Sequence, residues 1–295
     1  MFDVAPFSAI KLVERIKNAP KVLYVKGDSE ILSCPSIAIV GTRKATGEGI
    51  ALATQIARDL ASAGLLIVSG LAQGIDTAAH KGALEAGGKT IGVLGSSLEE
   101  RFFFPSQNLS LARKMLEQGG AIVSEYEKDT PALKHHFVAR NRIVSGLSLG
   151  VLVIEAPLKS GALITAEFAR AQGRPVFAIP GSPFSKNAQG TNNLIKRGAR
   201  LVENAQDIIG YLEIEKLFER KAEIEEKYLS LQNYATLSSE AREILKLIEG
   251  GHTTIDKISK ICKIETSKLL ALLVELELQG IIKNAGPGNY LIIKG

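Results

Sequence analysis

The sequence predicts an α/β protein: a Rossmann-like, doubly wound and mainly parallel sheet, followed by a small C-terminal winged-helix domain. Three observations carry this expectation. From residue 37, short runs rich in Val, Ile and Leu end in Gly, Ser or Pro and alternate with helix-length amphipathic stretches: IAIVG (37–41), LLIVSG (65–70), TIGVLG (90–95), AIVSE (121–125), LGVLVIEA (149–156) and PVFAIPG (175–181). Near-continuous apolar runs belong to strands covered on both faces, and strands joined by crossover helices make a parallel sheet flanked by helices. After Tyr211 the pattern stops, and EIEKLFERKAEIEEKYLSLQ is highly charged and helical in tendency. Finally LSSEAREILKLIEG, TTIDKISKICK and SKLLALLVELELQG read as three short helices before IIKNAGPGNYLII, a hairpin with a Gly-Pro-Gly turn, which is the order of a winged helix. The expected domains are a short N-terminal leader (1–35), a Rossmann-like binding domain (36–211), a charged helical linker (212–234) and the winged helix (235–295).

Composition narrows the function classes. Of 295 residues, 45% are hydrophobic and 23% charged, an ordinary globular balance with enough apolar surface for two domains. No apolar run approaches the roughly 20 residues of a membrane span, and the N-terminus lacks the basic start and apolar block of a signal peptide. A cytoplasmic protein without a membrane partner is therefore expected. Cys34 and Cys262 match no metal-ligand spacing, so neither a disulfide nor a metal site is expected, and no cofactor motif is present. The net charge is +5, and residues 36–211 hold 19 Lys and Arg against 14 Asp and Glu, so this segment carries the whole excess. That balance permits an anionic partner.

Ligands of open parallel sheets bind beyond the C-terminal ends of the strands, where loops meet helix N-termini. The first such loop is Gly41-Thr42-Arg43, in which the glycine admits close backbone approach, the following helix offers free N–H groups, and Arg43 adds a forked cation. The second contains Ser69 and Gly70, with Asp76 expected to cap the next helix. Ser160 and Gly161 open a third helix in the same manner, so three anion-ready loops are expected along one sheet edge. Neither a Walker A loop nor G-x-G-x-x-G is present, and Gly88-Lys89-Thr90 precedes a strand where a phosphate loop must follow one. Between the fourth and fifth runs, residues 134–142 (KHHFVARNR) combine Lys134, Arg140 and Arg142 with Phe137 and no acid. Cations interleaved with an aromatic suit an unpaired nucleic-acid strand: the cations neutralise phosphates and the ring offers a face to a base. A core position is the structural alternative for Phe137, while His135 and His136 are adjacent and point apart, which disfavours a metal pair.

Taken in order, Gly41-Thr42-Arg43, SGLAQGID (69–76), FVARNRIVSGLS (137–148), EAPLKSGALITAEFA (155–169), GRPVFAIPG (173–181) and GTNNLIKRGA (190–199) resemble the DNA-processing protein A (DprA, or Smf) family. The resemblance covers residues 20 to 211 and includes Leu23-Tyr24-Val25-Lys26-Gly27-Asp28 before the first run. It implies a dimeric, Rossmann-like single-stranded DNA (ssDNA) binder that protects incoming strands and loads the RecA recombinase during natural transformation, with single-strand-binding protein as a further partner. Carried over by motif, the DNA pocket includes Arg43, Lys134, Phe137, Arg140 and Asn141; Asn193 joins the candidates through GTNNLIKRGA. Two departures stand out. The family usually has Pro where this chain has Val138, and its VLGxGxDxxYP loop is altered here to VLGSSLEERFFFP (93–105), which makes loop 95–105 the least transferable part. The family often carries a helical N-terminal module, and the short leader is expected to leave no room for a complete one.

The presumptive recognition helix of the winged domain offers Lys268 as its only cation against Glu265, Glu275 and Glu277. A groove-reading helix needs donors, so a protein-contact or structural role is expected. Two other function classes compete with a non-catalytic ssDNA binder. A Rossmann-like hydrolase of nucleotides or nucleoside phosphates would need a base, for which Glu155 at a strand end is the candidate, but no nucleophile motif accompanies it. A winged-helix transcription regulator is disfavoured by the acidic third helix.

Overall fold

The computed structural model describes residues 3–6, 16, 18–213, 237–262, 264–278, 281–286 and 288–292. The chain forms two compact units, Met1–Tyr211 and Leu212–Gly295. In the first, the six expected strands appear as β3 (Ser36–Val40), β4 (Leu66–Ser69), β5 (Thr90–Val93), β6 (Ala121–Ser124), β7 (Gly150–Val153) and β8 (Val176–Ala178). All of their residues are buried, as strands covered on both faces require. The helices between them are α1 (Gly47–Ser62), α2 (Ile75–Glu85), α3 (Leu109–Glu117), α4 (Lys134–Gly146) and α5 (Gly161–Ala171), with α6 (Gln189–Lys196) after β8.

Residues 1–35 do not stand apart as a leader. They supply β1 (Asp3–Pro6) and β2 (Val22–Gly27), which extend the sheet antiparallel beyond β6. Strand β2 alternates buried Leu23 and Val25 with more exposed neighbours, a half-buried pattern unlike the continuous apolar runs that signalled the other strands. A two-residue strand, β9 (Arg200–Leu201), closes the opposite edge; both residues are exposed and too few to leave a periodic signal. Residues 205–213 are then helical (α7). Most of the expected linker, residues 214–234, lies outside the described residues.

The nine strands run in the order β1-β2-β6-β5-β4-β3-β7-β8-β9, and every pair from β6 to β9 is parallel. The chain winds from β3 outward through β4, β5 and β6, then returns to the other side of β3 with β7. Loops leaving β3 and β7 therefore diverge to opposite faces and leave a crevice at their C-terminal ends. Strand residues such as Val40, Val68, Val93 and Val153 share one buried cluster with Ile143, Val144 and Leu147 of α4 and Ala162, Ala166 and Ala169 of α5. That packing fixes both helices against the crevice.

The second unit contains α8 (Ser239–Glu249), α9 (Ile255–Cys262), α10 (Thr266–Leu278) and the hairpin β10 (Ile282–Gly286) and β11 (Asn289–Ile292). Ile244, Leu245, Ile258, Leu269, Leu273, Leu276, Ile282 and Tyr290 form its core. Ser238 caps α8 by accepting from Ala241 N at 3.2 Å. No helix among the described residues is long and apolar enough to cross a membrane.

Candidate nucleic-acid interface

Beyond the ends of β3, β4 and β7 lies an open groove of about 610 Å³. Gly41, Thr42, Arg43, Gly70, Lys134, Phe137, Arg140, Asn141, Ser160 and Gly161 all line it, so ten of the thirteen sequence candidates meet there. Its loops are tied together by residues that sequence reasoning had left without this role. The Glu155 carboxylate, just past β7, accepts from Thr46 N at 3.0 Å, the Thr46 hydroxyl at 2.5 Å and Asn187 Nδ2 at 3.0 Å. Thr46 in turn caps α1 by accepting from Gly49 N at 3.0 Å. One carboxylate thereby joins the two strand ends that flank the crevice and the loop after β8. As a strand-end acid, Glu155 suggested a general base; its partners make it an organiser of the site.

Asp76 does not cap α2. The cap position is Gly74, at φ +79°, where a side chain would meet Thr42 O. Asp76 sits in the first turn and points back, its Oδ2 accepting from Gly70 N at 3.1 Å and Ala72 N at 3.4 Å, which shapes the loop after β4. Burial pushes its carboxyl upward, against the opposing pull of Arg140.

The basic run forms α4, and the helix sorts its residues by face. Lys134, Phe137, Val138, Asn141 and Val144 recur at three- and four-residue spacing and turn to the groove. Lys134 and Arg43 are exposed, and the Arg43 guanidinium stands 5.6 Å over the half-buried Phe137 ring. Phe104 packs on Phe137 with ring centroids 5.5 Å apart, so the divergent loop 95–105 contributes a wall of the site. Asn141 Nδ2 donates to Gly161 O at 3.3 Å, linking α4 to the start of α5.

Arg140 has a different place from the one its charge suggested. It is buried at the groove floor, and its Nη1 donates to Gly70 O at 2.6 Å and to Val93 O. A Cβ on Gly70 would lie 2.5 Å from Arg140 Nη2, so the glycine makes room for this contact. Burial lowers the guanidinium pKa to about 10, Asp76 counteracts this, and Arg43 adds to it. Arg140 thus remains charged at neutral pH and braces the loops from below. Ser69 is also buried and donates to Ile39 O at 2.6 Å, outside the groove lining. Arg142 turns away altogether, forming a two-pronged pair with Glu125 at 2.6 and 3.0 Å. Asn193 lines a neighbouring depression of about 380 Å³, which shares Lys159, Ser160 and Gly161 with the groove.

The model of the DNA recombination-mediator protein A family matches residues 8–213, and that of the DprA winged helix domain matches residues 230–288. The chain belongs to the DprA/Smf family. As a member of this family it is a DNA recombination mediator. Protein Smf of Escherichia coli (strain K12) is 38% identical over 275 residues, spanning 93% of this chain and 72% of that protein. Among solved structures, the DprA of Streptococcus pneumoniae is similar at TM-score 0.66 and 41% identity, covering 71% of this chain and 74% of its own. The DprA of Helicobacter pylori, solved for its single-stranded DNA binding mode, is similar at TM-score 0.65 and 35% identity, covering 73% and 97%.

In this DprA/Smf chain the winged helix matches the expected element order, and its third helix is poor in available donors. Lys268, the one cation within α10, is paired with Glu240 of α8 at 2.6 Å. Glu277 accepts from Asn284 N at 3.0 Å and holds the hairpin to the helix.

Proposed function

We propose that this chain is a non-catalytic ssDNA-binding mediator that protects incoming strands and loads RecA during natural transformation, acting as a cytoplasmic homodimer. Single-strand-binding protein is the further partner in this reading. The observation that carries it is the convergence of Arg43, Lys134 and Phe137 with the N-terminal end of α5 in one groove at the switch point of the sheet. Helix N-termini and cations hold phosphates, while an aromatic face accepts a base without demanding a particular sequence. The single-stranded DNA binding mode of the Helicobacter pylori relative supports the same assignment. A non-catalytic role is supported by Glu155, whose carboxylate is engaged by Thr46 and Asn187.

Fluorescence anisotropy with a labelled oligothymidylate tests the binding step, with saturable binding that weakens as salt rises as the expected result. Loading is read separately, as RecA filament formation on ssDNA already coated with single-strand-binding protein. Acceleration by the chain is expected, and a chain that binds the strand yet leaves the lag unchanged is a binder and not a mediator.

A further inference from the structure

Phe184, in the loop between β8 and α6, is 95% exposed. A single apolar side chain at a surface is ordinary; the setting of this one is not. Its loop is fastened along its length: Asn192 exchanges two bonds with Gly181, at 3.2 and 2.8 Å, and Ser182 accepts from Phe184 N and Ser185 N. At its far end, Asn187 donates to Lys44 O and to the Glu155 carboxylate at 3.0 Å each, and accepts from Ala156 N at 2.6 Å. These bonds seat the loop beside Gly41–Lys44, the groove wall that carries Arg43. Lys44 and Lys186 are exposed, and neither has an ion pair among the described residues. An exposed aromatic ring on a backbone-tethered loop that also bears the exposed Lys186, and that is bonded to the backbone of exposed Lys44 next to Arg43, has the chemistry of a nucleobase platform.

We propose that Phe184, with Lys44 and Lys186, forms a second stacking platform on which ssDNA leaving the switch-point groove rests a base while the two lysines hold the flanking phosphates. This rests on the ssDNA reading above and extends its footprint to the other side of the β3 loop. The charge of the flanking residues favours a polyanion over an apolar protein surface as the occupant.

The chain contains no tryptophan, so Phe184→Trp in the full chain places a unique fluorophore on the platform. Oligothymidylates of about 4 and about 16 nucleotides, the span of known site sizes, serve as ligands. The Phe184→Trp emission is expected to be quenched by the longer oligomer, saturating with the anisotropy signal. Phe184→Ala is expected to weaken the longer oligomer at least about five-fold, the loss of one stacked base, while the shorter oligomer and the melting temperature stay unchanged. Lys186→Ala is expected to flatten the salt dependence for the longer oligomer only. Equal affinity of wild type and Phe184→Ala for the longer oligomer, with unaltered tryptophan emission at saturation, overturns the platform and leaves the groove standing. Emission that changes with protein concentration in the absence of DNA assigns the ring to a protein contact and likewise overturns it. Failure of the wild type to bind either oligomer removes the groove reading itself.

Discussion

Arg43 stands exposed above Phe137, with its guanidinium donors open to a ligand, whereas Arg140 lies at the floor of the same groove and donates to the backbone of two strand-end loops. Equal charges thus carry different consequences. Arg43→Ala is expected to lower ssDNA affinity about ten-fold, the worth of a charge-assisted contact, with an unchanged melting temperature. Arg140→Ala removes the charge opposing buried Asp76 and the donor that Arg140 supplies to the Gly70 and Val93 carbonyls, so a loss of about 3 kcal/mol is expected. Calorimetry would register this as a fall of roughly 6–12 °C in melting temperature; a variant that binds weakly yet melts like the wild type would make Arg140 a ligand contact. A third residue governs acid stability. His80 is fully buried with Nδ1 2.7 Å from the Thr90 hydroxyl, and burial, aided by Arg140, lowers its pKa from 6.5 to about 3. The folded state therefore holds His80 neutral where the unfolded chain protonates it. Stability from this group is fully present above pH 6.5 and falls by about 1.4 kcal/mol per unit as pH drops toward 3. Melting scans between pH 7 and 4 should show a shallower acid decline for His80→Gln than for wild type, whatever its stability at pH 7.

At the level of elements, α1 owes its position to a contact that its sequence conceals. Gly47 and Gly49 both lie in the first turn, and helix propensity alone favours replacing either by alanine by about 1 kcal/mol. A Cβ on Gly47 meets nothing within 4 Å, while one on Gly49 would sit 2.5 Å from the Glu155 carboxyl carbon. Opposite signs follow: Gly47→Ala should raise the melting temperature slightly, and Gly49→Ala should lower it and weaken ssDNA binding by displacing the Glu155 carboxylate that joins the groove's loops. Equal shifts in the two variants would show that Glu155 yields freely. This pair also marks what the sequence could disclose. The buried parallel strands were legible because burial on both faces leaves continuous Val, Ile and Leu runs, and the loops followed from topology. Strand β2 was hidden by its alternating, half-buried pattern, and β9 by having two residues. The split of α4 into a groove face and an Arg142–Glu125 face depends on partners distant in sequence, which a run of cations cannot reveal. Glu155 was conspicuous as a strand-end acid, but its binding of Thr46 and Asn187 requires three loops to be placed at once.

For the molecule as a whole, the charge excess lies in residues 36–211, and the fold turns a modest surplus into a local one. Arg43, Lys134 and Lys159 are the exposed cations on the groove, and the one acid on its lining, Asp76, is buried and tied to backbone N–H groups. Each phosphate neutralised on a single strand contributes about −0.7 to the slope of log affinity against log salt concentration. Three such cations give a slope near −2, or about twenty-fold weaker binding between 50 and 200 mM salt. Arg140 is omitted from this sum because it is buried and its Nη1 already donates to the Gly70 and Val93 carbonyls. Arg43→Ala and Lys134→Ala should each reduce the slope by about 0.7, whereas the paired Lys268 of the winged helix should leave it unchanged when replaced by alanine. Affinity measured across that salt range for the four proteins therefore separates cations that meet phosphate from those that only add to the net charge. A slope near zero with strong binding would shift the weight of recognition from the phosphates to Phe137 and the bases, and an effect of Lys268→Ala equal to that of Arg43→Ala would return the winged helix to the DNA surface.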